Sequence, residues 1–229
     1  MNDETRAVAE RYARRGAGNL YSPLRPEVWQ GLQERQRAML RRFKAAGITD
    51  LAPLHITEVG CGGGGNLLEL LRLGARPEHL TGLELLPERH AAARHALPAA
   101  STVWLGDATQ APVAPGSQDI VLQSTVFSSL LDDAFQQRLA SAMWQWLKPG
   151  GAVLWYDFTV DNPRNPDVRG VPLARVRQLF GQGHLQADRV TLAPPLARLV
   201  CRWHPGLYRV FNALPLLRTH LLAWIDKPA

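Results

Sequence analysis

The sequence predicts an α/β fold, with one doubly wound, mostly parallel sheet and helices on both faces. Three observations predict it. Short apolar runs alternate with helical stretches from His55 to Tyr156, which is the rhythm of βαβ units. A glycine-rich turn, Gly60-Cys61-Gly62-Gly63-Gly64, joins the first strand to a helix. The run Ala152-Val153-Leu154-Trp155-Tyr156 is apolar throughout, as a parallel strand covered on both faces should be.

Residues 1–24 are polar and mixed. Pro26 and Glu27 open an amphipathic helix in which Trp29, Leu32, Met39, Leu40 and Phe43 recur near helical spacing, and Gly47 ends it. The first strand is His55–Val59, and the helix after the glycines runs from Asn66 to Leu73, stopped by Gly74. Leu80–Glu84 is a second strand, Glu88–Ala96 a helix closed by Pro98, and Thr102–Leu105 a third strand. Asp119–Gln123 is a fourth, Asp132–Leu147 a helix, and Lys148-Pro149-Gly150-Gly151 a tight turn before the fifth strand. Beyond Asp157 come a polar loop fixed by Pro163 and Pro166, a short helix at Leu173–Phe180, and two candidate strands, Ala187–Leu192 and Leu221–Ile225.

Composition narrows the class. With 229 residues the chain suits one domain, and 46% apolar against 20% charged residues implies a folded core. No apolar run reaches the roughly 18 residues needed to span a bilayer. The N-terminus has no apolar stretch behind a basic start, so no secretory signal is expected. Two distant cysteines, Cys61 and Cys201, argue against a disulfide framework or a metal site and fit the cytoplasm. The net charge is +6, but the arginines are scattered and not interleaved with aromatics, so no nucleic-acid partner is expected.

Glycines after a first strand let a ligand approach the backbone, with helix amides facing it. Gly60-x-Gly62-x-x-Gly65 satisfies a dinucleotide fingerprint as well as a methyl-donor loop, and Glu84 is placed for a ribose contact in either. Three features favour the methyl donor. Glu58, two residues before Gly60, would attract a cationic amino group and repel a pyrophosphate. Asp107, in Gly106-Asp107-Ala108 after the third strand, can accept from an adenine amino group. Leu147-Lys148-Pro149-Gly150-Gly151 precedes the fifth strand.

In order and spacing, Glu58-Val59-Gly60-Cys61-Gly62, Gly82-Leu83-Glu84, Gly106-Asp107-Ala108, Asp119-Ile120-Val121 and Leu147–Gly151 resemble the class I S-adenosylmethionine-dependent methyltransferases, over about residues 50–157. The resemblance implies a Rossmann-like, doubly wound, seven-stranded, mostly parallel sheet with an antiparallel last strand and S-adenosyl-L-methionine as cofactor. It implies that Glu84 holds the ribose hydroxyls and Asp107 the adenine amino group, with Leu85 and Ala108 flanking the ring. Gly60, Cys61 and Gly62 would pack against the cofactor, with Gln123 beside its methionine portion, and Glu58 and Asn66 are further candidate cofactor contacts. A single domain is expected: a helical cap over 1–47, a cofactor core over 48–157, and acceptor-side elements over 158–229.

Methyl transfer from a sulfonium needs alignment above all, and a base only where the acceptor is a hydroxyl. Asp157, past the fifth strand, is the candidate base, with a loop-capping role equally open; His184 and His204 are later options. Tyr156, Asn162, Arg164, Asn165 and Arg169 are candidate acceptor contacts, since their donors suit a polyhydroxylated or phosphorylated molecule. The stretch Trp155–Gly170, with Gln123–Ser129 and Pro215–His220, is similar to bacterial methyltransferases of surface-polysaccharide clusters. This implies O-methylation of a sugar hydroxyl in a surface-glycan precursor, including lipid-linked ones, with at most peripheral membrane contact. A natural-product acceptor, a non-catalytic partner subunit and an RNA methyltransferase are the alternatives. The apolar tail Leu192–Leu222 reads as a helix over the sheet edge, a lid or a membrane-facing patch, and Tyr12, Asn19 and Tyr21 as a segment that can cover the site.

Overall fold

The computed structural model describes residues 3–14, 22–163 and 165–229. Seven strands form one sheet: β1 (Ile56–Val59), β2 (Leu80–Glu84), β3 (Thr102–Leu105), β4 (Gln118–Ser124), β5 (Leu147–Phe158), β6 (His184–Leu192) and β7 (Arg218–Asp226). Their order is β3-β2-β1-β4-β5-β7-β6. The first five run parallel, and β7 is antiparallel to both β5 and β6. Among the described residues eight α-helices accompany them: α1 (Asp3–Arg14), α2 (Pro26–Ala45), α3 (Gly65–Arg72), α4 (Pro87–Ala96), α5 (Asp133–Trp146), α6 (Leu173–Leu179), α7 (Pro194–Trp203) and α8 (Leu207–Asn212).

Alternation along the strands feeds two cores. Val121, Val153 and Trp155 point to the face covered by α5 and α6. Ile120, Leu122, Leu154 and Tyr156 point to the face covered by α2, α3 and α4. Full burial of a side chain such as Trp155 or Leu154 contributes about 1.5–3 kcal/mol each. β1, β2 and β4 are followed by α3, α4 and α5, which cover opposite faces of the sheet, as a doubly wound topology requires.

Three features differ from the sequence reading. The Lys148–Gly151 turn lies inside β5 as a bulge, because pairing jumps from Gln118↔Leu147 to Ile120↔Ala152. Gly150, at φ 76°, allows the excursion, and its amide donates to the Lys227 carbonyl at 3.0 Å. Residues 3–14, read as polar and mixed within the helical cap but given no helix of their own, form α1. The apolar tail folds as α7 and α8 between β6 and β7. Because β7 runs against β5, this excursion sits at the edge where the parallel strands end. Among the described residues no helix is long and apolar enough to cross a membrane.

Candidate active site

β1 delivers the chain into the glycine turn at that edge. Gly60, Gly62 and Gly64 have φ of 65°, 57° and 82°, the left-handed region that side chains disfavour. A Cβ on Gly60 would lie 2.5 Å from Val126 Cγ2, so the turns after β1 and β4 meet only because this residue lacks one. The Cys61 amide donates to the Leu83 carbonyl at 3.0 Å, and the Gly62 amide donates to Glu84 Oε2 at 2.8 Å. Glu84 Oε1 accepts from the Leu86 amide at 2.8 Å. The Cys61 side chain turns into the core, where a Cβ on Gly82 would meet its Sγ at 2.7 Å. Burial pushes its thiol pKa up, so Cys61 offers a ligand backbone only.

A cavity of about 740 Å³, open mouth included, lies beside this turn. Gly60, Glu84, Leu85, Asp107 and Ala108 line it together. Asp107 Oδ1 accepts from the Thr109 amide and hydroxyl at 2.9 and 2.8 Å, which leaves Oδ2 for a donor inside the cavity. The opposite wall is α1, through Thr5, Val8 and Tyr12. Arg89 lies over the Tyr12 ring at 4.4 Å. Sequence reasoning named Tyr12 but not the helix that carries it.

Glu58, Asn66 and Gln123 do not line this cavity. Glu58 is buried; its Oε1 accepts from Asn66 Nδ2 at 2.5 Å and its Oε2 is buried without a hydrogen bond. Burial pushes its carboxyl up to about 7, opposed by the Asn66 bond and by Arg35. Gln123 spends its side chain internally, accepting from the Val126 amide and donating to the Tyr156 carbonyl. Its role is to shape the turn after β4.

Arg35, on α2, is a residue that sequence reasoning missed. It donates to Asn66 Oδ1 at 2.6 Å and Ser124 Oγ at 3.0 Å, and its guanidinium lies 5.1 Å from the Tyr156 ring centre. Tyr156 stacks on His220 at 5.0 Å and pairs its hydroxyl with that of Thr191 at 2.9 Å. Glu34 accepts from the Thr191 amide and the Tyr208 hydroxyl. Burial pushes Tyr156 up to about 12, whereas burial and Arg35 push His220 down to about 4, so that its ring is neutral at pH 7. Thr125 and Thr191 have φ of 58° and 63°, which costs a β-branched residue about 1–3 kcal/mol. Thr125 lines the cavity, and Thr191 bonds Tyr156.

The remaining expectations are not gathered here. Asp157 is fully buried, points to the opposite face from Tyr156, and accepts from the amides of Ser128 at 3.1 Å and Phe158 at 3.0 Å. Burial pushes it up to about 7 despite those bonds. It ties the turn after β4 to β5, which is the loop-capping role. Asn165 accepts from the Asp167 amide, and Arg169 pairs with Asp133 at the start of α5. Arg169 is thus spent on α5, and the Asn165 side-chain oxygen on its own loop. Asn162 accepts through its carbonyl from the Asn165 amide. Arg164, Asn19 and Tyr21 lie outside the described residues. His184 and His204 are exposed, and neither lines the cavity.

A protein-family model described as "Methyltransferase domain" matches residues 57–155. Over that span the chain is similar to a methyltransferase domain. An S-adenosylmethionine-dependent methyltransferase from Mesorhizobium loti is 18% identical, with a TM-score of 0.61, covering 82% of this chain and 96% of that one. One from Archaeoglobus fulgidus is 14% identical, with a TM-score of 0.62 and coverage of 85% and 94%. Phosphoethanolamine N-methyltransferase 2 from Haemonchus contortus, in complex with S-adenosyl-L-methionine, is 18% identical, with a TM-score of 0.61 and coverage of 85% and 52%. At these identities the likeness shows the fold. No curated protein matches the chain. Domain and fold together support a class I S-adenosylmethionine-dependent methyltransferase, with S-adenosyl-L-methionine as its cofactor.

Proposed function

We propose that the methyltransferase moves a methyl group from S-adenosylmethionine to a sugar hydroxyl of a surface-glycan precursor in the cytoplasm. The observation that carries the donor side is the pairing of a cavity lined by Glu84 and Asp107 with the unpartnered Glu58 Oε2 nearby. A buried, orphaned carboxylate oxygen asks for a cationic donor, and the cofactor's amino group is one. In this reading Glu84 takes the ribose hydroxyls, Asp107 Oδ2 the adenine amino group, and Leu85 and Ala108 the ring faces. Gly60, Gly62 and the Cys61 backbone line the turn, and Asn66 holds Glu58 in place. Residues 1–47 act as the cap, 48–157 as the cofactor core, and 158–229 complete the sheet and the acceptor side.

The cofactor supplies a methyl already activated on its sulfonium, so the protein's own task is alignment. Arg35, Tyr156, Thr191 and His220 form the polar, ring-bearing wall next to Glu58 and Asn66. They suit a polyhydroxylated acceptor: hydroxyls would meet the Arg35 hydrogens not given to Asn66 and Ser124, and the nitrogen of neutral His220 that does not face Thr219. A group held near 4 is a poor proton acceptor, so His220 orients the hydroxyl in preference to ionising it.

Labelled methyl transfer into nucleotide sugars, lipid-linked glycans and small phenols tests the reading. Label on a glycan hydroxyl is expected. Label in phenols alone would replace it with a natural-product acceptor. Transfer only with a co-purified catalytic subunit would make this chain a partner.

A further inference from the structure

We propose that the outer face of α7, α8 and the turn at 213–216 docks on an anionic phospholipid bilayer. The inner sides of these elements share a small core around Leu192, Val200, Cys201 and Tyr208. Their outer sides leave large apolar groups in solvent: Leu199 is 55% exposed, Trp203 83%, Val210 63%, Leu214 57% and Leu216 89%. Leu199 and Trp203 are four residues apart and so share one face of α7. A cluster of this kind marks an interaction surface.

Charge selects the occupant. From Val190 to Ile225 the sequence contains no Asp or Glu, yet it contains Arg198, Arg202, Arg209 and Arg218. Arg198, Arg202 and Arg209 are exposed, whereas Arg218 is spent on the Asn212 and Arg189 carbonyls. The acid that feels Arg198 from α2 is Glu27, which Arg25 already pairs at 2.8 Å. Symmetric pairing with a second copy would bring arginine against arginine with no acid between them. RNA would answer the arginines but leave Leu199, Val210, Leu214 and Leu216 in water. An anionic bilayer answers both, with phosphates for the guanidiniums and the acyl boundary for the leucines and Trp203.

The face lies at the edge where the parallel strands end, the same edge as the glycine turn and the wall of Tyr156 and His220. Docking there would place the cavity close to the membrane surface. The inference stands apart from the acceptor reading, since the assay below detects binding and not methyl transfer.

Flotation of the full chain with phosphatidylcholine vesicles, alone or mixed with phosphatidylglycerol, tests it. Co-flotation is expected with the mixed vesicles only, weakening as salt rises. Arg198→Glu with Arg202→Glu should weaken it by about tenfold or more. Trp203→Ala and Leu216→Asp, both at exposed positions, should weaken it without moving the melting temperature. No binding to the mixed vesicles, or binding unchanged in all variants, would overturn the inference. So would loss of a dimer in the Leu216→Asp variant, or an RNA shift through these arginines without vesicle binding.

Discussion

Glu84 and Asp107 each hold their own loop as well as facing the cavity. Glu84 accepts from the Gly62 and Leu86 amides, and Asp107 from the amide and hydroxyl of Thr109. A charged hydrogen bond removed from a buried ligand costs about 1.5–3 kcal/mol, so Glu84→Ala and Asp107→Ala should each weaken S-adenosylmethionine binding by about tenfold or more. Calorimetry reads this, and binding of NAD in its place would overturn the donor-side assignment. Glu84→Ala should also lower the melting temperature, because two amides lose their acceptor. Asp157 calls for the opposite pattern. Its carboxylate joins two segments and is not among the residues that line the cavity beside the glycine turn. Asp157→Asn keeps one accepting oxygen, so the melting temperature should fall while kcat stays within a few-fold of the parent. A collapse of kcat with unchanged stability would restore Asp157 as a base.

Among the elements, α1 walls the cavity and joins the molecule largely through polar bonds. Its sequence has no apolar stripe, since only Val8 among its aliphatic residues enters the core. Polar bonds fix it instead: Arg11 pairs with Glu4 at 2.7 Å and donates to the Ser129 carbonyl, and Glu4 accepts from the Leu131 amide. Hydrophobic periodicity does not report such a helix, which is why it reads from the sequence as mixed polar chain. Strands β2 and β3 sit at the opposite extreme. Both are short runs bounded by turn residues, and their ends coincide with the sequence reading. The glycine turn was legible because positive φ needs glycine, whereas Arg35 was not. An arginine on the polar face of an amphipathic helix looks solvated until the fold brings Asn66 and Ser124 beneath it. Arg169 in the loop that follows β5 shows the converse, since its guanidinium is spent on Asp133. Removing residues 1–14 should leave the sheet folded by far-UV circular dichroism yet weaken cofactor binding by about tenfold, through loss of apolar contact with Tyr12 and Val8. Unchanged affinity by calorimetry would place α1 outside the site.

At the scale of the whole molecule, covering a sheet on both faces makes ionisation inside it expensive, and two carboxyl groups sit there. Burial pushes Glu58 and Asp157 each up to about 7. In the unfolded chain both would release their protons near the ordinary carboxylate pKa of about 4. Between these values the folded state binds more protons than the unfolded one, so stability is full at the acidic end and falls as pH rises to about 7. His220 works in the other direction. It is held down to about 4, so the unfolded chain binds the extra proton up to an ordinary histidine pKa of about 6.5, and this contribution to stability rises with pH. Two carboxyl groups against one imidazole leave a net fall. The melting temperature of the cofactor-free protein should therefore drop from about pH 5 to about pH 7. Glu58→Gln should flatten part of that slope, because the amide has no proton to lose. A cationic amino group beside Glu58 Oε2 would also pull its pKa down, so S-adenosylmethionine should flatten the same part in the parent and leave the Glu58→Gln slope unchanged. Thermal melts across this range, with and without the cofactor, separate the two carboxyl groups: what Glu58→Gln and the cofactor both remove belongs to Glu58, and the remainder to Asp157. A melting temperature that rises through the window would mean that both are ionised in the fold, and Glu58 would then have a partner other than the one proposed.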